Sequence, residues 1–135
     1  MREREPARPT NAELQILQVL WQRGPSTVRA VHESLGRAKA VGYTTVLKLL
    51  QIMTDKGLVT RDASARPHVY RAAASQAATL RRLVSDLVER AFGGSTVGLW
   101  LHALSGTPAT SQELDQIRKL LDEKLDKKKR GSICP

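Results

Sequence analysis

Between Asn11 and Arg71 the sequence sets three helix-periodic stretches, each closed by a glycine, ahead of two short β-prone segments around a turn-forming stretch. That order leaves few folds open, because three short helices and one hairpin must bury their apolar faces against one another. Thr10-Asn11-Ala12-Glu13 has the form of a capping box, and Leu14, Leu17, Leu20 and Trp21 follow as an apolar stripe, predicting a first helix over residues 11–23. Gly24-Pro25 stops it. Ser26 or Thr27 can cap a second, short helix with Val28, Val31 and Leu35 on one side, ending near Gly36. After the basic connector Arg37-Ala38-Lys39-Ala40-Val41-Gly42, residues 43–56 place Val46, Leu49, Leu50 and Met53 at helical spacing, and Gly57 ends this third helix. Residues 58–61 and 68–71 then read as the strands of a hairpin around Asp62-Ala63-Ser64-Ala65-Arg66-Pro67.

Beyond the hairpin the pattern is helical throughout. Ser75 can cap a helix carrying Leu80, Leu83, Val84, Leu87, Val88 and Ala91, and Gly93-Gly94 breaks it. Val97, Trp100, Leu101 and Leu104 form a shorter stripe ended by Gly106 and Pro108. Thr110-Ser111-Gln112-Glu113 is a second capping box, opening a helix with Leu114, Ile117, Leu121 and Leu125 that gives way to the run Lys127-Lys128-Lys129-Arg130. Three short amphipathic helices have little core to bury unless a second copy supplies one. The expected fold class is therefore mainly α with a small β-hairpin. It comprises a disordered N-terminal arm (1–9), a winged helix-turn-helix (10–73), an all-helical dimerisation segment (74–126) and a basic disordered tail (127–135). Leu80, Leu83, Val84, Leu87, Val88, Val97, Trp100, Leu101, Leu104, Leu114, Ile117 and Leu121 are the expected dimer contacts, the alternative being that these helices fold back on the winged helix.

A formal net charge of +9 favours polyanionic partners, since clustered Lys and Arg gain affinity by releasing counterions from phosphates. Residues 1–72 are the more basic part, with 12 Lys+Arg against 6 Asp+Glu, where residues 73–135 have 10 against 7. The charged start MREREPARPT lacks an apolar signal core, and no run approaches the roughly 18 apolar residues of a membrane span, so the expected location is cytoplasmic. A single cysteine, Cys134, excludes an internal disulfide and a cysteine-cluster zinc site, and no cofactor is expected.

In a winged helix the third helix enters the major groove and the hairpin touches the DNA backbone. With Val46, Leu49, Leu50 and Met53 inward, Thr44, Thr45, Lys48 and Gln51 face outward on the part of that helix from which base edges are read. Thr can donate, accept or touch a thymine methyl, and Lys can reach guanine or phosphate. Singly, such a Thr is as readily a helix cap and such a Lys a solvated surface group; together, ahead of a basic hairpin, they point to DNA. Arg61, Arg66 and Arg71 are candidate phosphate contacts, Arg66 foremost at the tip, against the plain reading that they solvate a hairpin edge.

The stretches GPSTVRAVHESL, GYTTVLKLLQIMTDKGLV and HVYRA resemble the signature segments of the penicillinase repressor (BlaI/MecI) family, with the copper-responsive CopY repressors as relatives. The resemblance covers about residues 10–125, most closely 13–72. It implies a winged-helix repressor that dimerises through C-terminal helices on inverted-repeat operators, with the groove-reading positions on Thr44, Thr45 and Lys48 and Tyr43 beside them. In β-lactamase-regulating members a membrane-bound antibiotic sensor triggers cleavage in the C-terminal segment, which separates the dimer. The staphylococcal members carry an Asn-Phe cleavage bond where this chain has Val97-Gly98-Leu99-Trp100-Leu101-His102-Ala103-Leu104, and CopY-type members end in paired Cys-X-Cys ligands where this chain has Cys134.

These observations predict a sequence-specific repressor that binds a double-stranded DNA operator as a homodimer; the resemblance to the penicillinase repressor family implies control of β-lactamase or antibiotic-response genes, with proteolytic induction through a membrane sensor protease or a metal signal as the family's alternatives. The main competitor is a non-specific architectural DNA-binding protein, indifferent to operator sequence. A helical protein-interaction module meeting an acidic partner is a third reading. Single-strand or RNA binding is disfavoured, because the five aromatics Trp21, Tyr43, Tyr70, Phe92 and Trp100 are scattered. No enzyme is expected: His32, His68 and His102 lie in three different elements, and Gly93-Gly94 breaks a helix rather than cradling phosphate.

Overall fold

The computed structural model describes residues 8–36, 41–106 and 108–132. The expectations for the N-terminal arm through residue 7, for Arg37 to Ala40 of the basic connector and for Cys134 lie outside the described residues. Three helices come first: α1 (Asn11–Arg23), α2 (Val28–Leu35) and α3 (Tyr43–Lys56). Strands β1 (Val59–Asp62) and β2 (Val69–Ala72) follow, and then α4 (Gln76–Ala91), α5 (Thr96–Gly106) and α6 (Ser111–Ser132). The fold is mainly α with one antiparallel hairpin, a winged helix followed by a helical segment. Two compact units divide the chain, Met1–Asp86 and Leu87–Pro135, the division falling inside α4.

Local chemistry sets the helix ends. Thr10 caps α1 by accepting from the Glu13 amide at 3.2 Å, while the Glu13 carboxylate accepts from the Thr10 amide at 2.8 Å, which completes the capping box. Thr27, the second of the two candidates, caps α2 through the Ala30 amide. Gly57 closes α3 at φ 82°, a left-handed conformation that costs a residue with a Cβ about 1–2 kcal/mol, and its N–H donates to the Met53 and Thr54 carbonyls. Ser75 and Thr110 cap α4 and α6 through the amides of Ala78 and Glu113.

The core of the first unit gathers Ile16, Leu17 and Leu20 of α1, Val28 and Val31 of α2, Val46, Leu50 and Met53 of α3, and Val59 and Tyr70 of the hairpin. Several inward assignments change. Ile16 is wholly buried while Leu14, Trp21, Leu35 and Leu49 are only half-buried against the core. Trp21 sits at the edge because its indole N–H donates to the Ala74 carbonyl at 3.0 Å, which holds the ring against the β2–α4 link. The strands lie one residue later than the β-prone segments, with Val59 opposite Ala72, Thr60 opposite Arg71, Arg61 opposite Tyr70 and Asp62 opposite Val69. A third, single-residue partner joins the sheet: Ser26 and Tyr70 exchange two backbone hydrogen bonds at 2.9 and 2.8 Å, stitching the α1–α2 turn to β2.

The first unit extends past residue 73, where the sequence reading closed the DNA-binding domain. The Arg8 guanidinium lies 3.1 Å from the Asp86 carboxylate, and Leu83 shares a cavity wall with Leu17 and Leu58, so the first part of α4 belongs to the winged helix. In the second unit, α6 continues through Lys127-Lys128-Lys129-Arg130 to Ser132. Lys and Arg are good helix formers, Glu123 and Asp126 stand four residues before Lys127 and Arg130, and cations suit a helix C-terminus.

Candidate nucleic-acid interface

A helix that reads DNA must keep one face in the core and present another that is polar and free. With Val46, Leu50 and Met53 fully buried, the opposite side of α3 carries Thr44, Lys48 and Gln51, all exposed and gathered within an arc of about 60°. Thr45, also exposed, lies about 60° to one side of Lys48. Tyr43 is 47% exposed on the other side, its ring edge-on to His32 with centroids 6.1 Å apart, so the first turn of α3 is propped against α2. Asp55 shares the exposed line toward the C-terminal end of α3. An acid there disfavours phosphate and leaves the N-terminal half as the half suited to approach a polyanion.

The three hairpin arginines do not form one cluster. Residues paired across an antiparallel ladder share a face, so Arg61 lies on the face of buried Tyr70 and Val59, whereas Arg71 lies with Thr60 on the other. Arg66 is exposed in the loop between the strands, its Nη1 3.0 Å from the ring Nε2 of His68. Arginine can only donate, so the ring Nε2 of His68 is the acceptor in this contact. Asp62 shapes the same loop: its carboxylate accepts from the Ser64 hydroxyl and from the Ser64 amide at 3.0 Å. The Ser64 hydroxyl foremost, then the Ser64 amide, outweighs residual burial and holds Asp62 below the ordinary carboxylate range, so the hairpin keeps this negative charge tied to its own turn.

Two further residues join the surface that the sequence did not offer as DNA contacts. A cleft of about 390 Å³ opens beside the start of α3 and is lined by Thr27 and Arg29 of the α2 end, Tyr43, and Pro67 and His68 of the hairpin. Arg29 and His68 thereby stand with the α3 residues. The signal for Arg29 was its position two residues after the Thr27 cap, visible only once the α1–α2 turn is known to meet β2 through Ser26 and Tyr70.

In the C-terminal helices, Leu80, Val84, Leu87, Val97, Trp100, Leu101, Leu104, Leu114 and Leu121 are exposed, as are Leu120 and Leu125. Of the expected dimer contacts, Leu83 and Ile117 are half-buried and Val88 is buried within the single chain. Trp100, Leu104, Ile117, Leu120 and Leu121 line an apolar pocket of about 110 Å³ between α5 and α6. Among the described residues no helix is long and apolar enough to cross a membrane, and no group of His, Cys, Asp and Glu is arranged to hold a metal ion.

Comparison with known proteins agrees with this architecture. The family model described as penicillinase repressor matches residues 9–123. The transcriptional regulator BlaI of Mycobacterium tuberculosis, strain CDC 1551 / Oshkosh, is 32% identical over 113 residues, covering 82% of this chain and 80% of its own. BlaI of strain ATCC 25618 / H37Rv matches over the same span with the same identity. The chain belongs to the penicillinase repressor family of transcriptional regulators.

Proposed function

We propose that the protein is a sequence-specific transcriptional repressor that binds an inverted-repeat operator as a homodimer and controls genes of the antibiotic-response class. The observation that carries this reading is the exposed line of Thr44, Lys48 and Gln51 on α3, held rigid by a fully buried opposite face and flanked by the hairpin that bears Arg66. Hydroxyl, ammonium and amide groups on the N-terminal half of such a helix match the donor and acceptor edges of the major groove. Arg29 of α2, and Arg61 and Arg66 of the hairpin, supply charge for phosphates on either side. One copy reads one half-site, and the exposed apolar side chains of α5 and α6 favour a second copy of this chain as their cover, giving the two-fold symmetry that an inverted repeat requires.

Selection of bound duplexes from a random pool tests the reading, with sedimentation of the free protein beside it. Enrichment of one inverted repeat and a dimeric mass are expected. Binding without enrichment of any sequence turns the reading into the architectural one, and failure to retard any duplex at moderate salt removes DNA altogether.

A further inference from the structure

Against the first half of α4 the first unit holds a cavity of about 260 Å³ in which the proposed DNA contacts take no part. Its walls are aliphatic: Leu17 from α1, Leu58 from the α3–β1 link, Leu83 from α4, and Ala73 and Ala74 from the link before α4. The backbone groups in those walls already have partners, since the Ala73 amide donates to the Leu58 carbonyl and the Ala74 carbonyl accepts from Trp21. Two arginines, each with its guanidinium group, also line the cavity. That of Arg8 is paired with Asp86 at 3.1 Å, whereas Arg82, exposed on α4, has no ion-pair partner among the described residues. Thr79 adds a hydroxyl beside it.

We propose that this cavity is a binding site for a small aryl carboxylate. The apolar body would lie between Leu17, Leu58 and Leu83, and the carboxylate would meet the planar fork of Arg82, whose two parallel N–H groups match a carboxylate and lack a protein anion. Size limits the ligand: the volume is just under the roughly 300–1,000 Å³ of drug-sized sites, so one or two fused rings fill it. Aliphatic walls disfavour inorganic anions, which lose hydration there without gaining hydrogen bonds, and the Arg82 guanidinium, unpaired beside the Arg8–Asp86 pair, favours an acid over its neutral amide. Because the walls come from α1, the α3–β1 link and α4 together, the ligand binds only the folded unit and stabilises it by mass action.

The test is a titration of the isotope-labelled full chain with 1-naphthoate, followed by amide NMR shifts and thermal midpoint, with 1-naphthamide as the uncharged counterpart. Saturable shifts are expected at Gly57, Leu58, Ala74, Thr79 and Leu83, with a rise in midpoint, and naphthamide should bind at least tenfold more weakly. Arg82→Gln, at an exposed position, should weaken naphthoate at least tenfold while leaving the unliganded midpoint unchanged. Leu83→Ala, which takes away part of the half-buried apolar wall but keeps Arg82, should weaken binding of both compounds alike. Equal binding of acid and amide, full affinity in Arg82→Gln, shifts confined to other surfaces, or no saturable shift at low-millimolar naphthoate would each overturn the proposal.

Discussion

Glu13 is 1% exposed yet serves as a carboxylate in two places at once, closing the cap of α1 and receiving Lys56 Nζ at 2.8 and 3.1 Å from the last turn of α3. Burial pushes its pKa up, but the Lys56 ammonium and the Thr10 amide outweigh burial, so Glu13 titrates below its ordinary value of 4.5. A carboxyl held low in the folded state contributes stability above its unfolded pKa and loses it as pH falls through the folded one. Thermal midpoints measured downward from neutral pH should therefore drop below about the ordinary value of 4.5, and Glu13→Gln should start lower and fall less over that window. Parallel profiles for the two proteins would dismiss the pair as a source of acid sensitivity. At Lys48 the expectation concerns recognition. Lys48→Ala should cost about 1–3 kcal/mol on the selected operator and much less on random duplex, with folding unchanged because the position is exposed. Equal losses on both duplexes would reassign Lys48 to the DNA backbone. Lys48 was legible in the sequence because the core stripe of α3 is regular; the burial of Glu13 was not, because a capping box announces only the local bond to Thr10 and Lys56 lies 43 residues away.

Elements were legible where their signal is local. A cap or a glycine stop marked each of α1 to α6 among the described residues, and period-three-and-four spacing indicated which side of α3 turns inward. The hairpin was legible as an element but its register was not, since register depends on the Ala73–Leu58 hydrogen bond and on Ser26 joining Tyr70, both long-range pairings. That register is what puts Arg61 and Arg71 on opposite faces, a separation no composition count foresees. The junction between α3 and β1 gives a clean test of the glycine stop. A Cβ on Gly57 would meet nothing within 4 Å, so Gly57→Ala changes only the backbone cost of φ 82°. A loss on the order of 1 kcal/mol is expected in denaturant unfolding, with an unchanged m value. A neutral substitution would mean that this turn relaxes out of the left-handed region.

For the whole molecule the decisive quantity is how many copies assemble. Apolar side chains as exposed as Val97 at 66% and Leu101 at 61% are costly to leave in water when they recur along two consecutive helices. Leu101→Asp and Leu121→Asp replace exposed groups, so each chain should keep its helical content while sedimentation shifts from dimer to monomer at micromolar concentration. Dimers that survive both substitutions would place the contact elsewhere. The sequence carried the amphipathic stripes of these helices but not which members a single chain covers by itself: Val88 is buried, whereas its neighbour Leu87 is 46% exposed. The chain's two tryptophans fall one in each unit, Trp21 bonded to Ala74 in the first and Trp100 among the apolar side chains of α5 in the second. With either indole replaced by phenylalanine, the fluorescence of the one left follows a single half of the molecule. Dilution should then shift the melting of the Trp100 signal and leave that of Trp21 in place, so light emission alone distinguishes a fold held by its own core from one held by its twin.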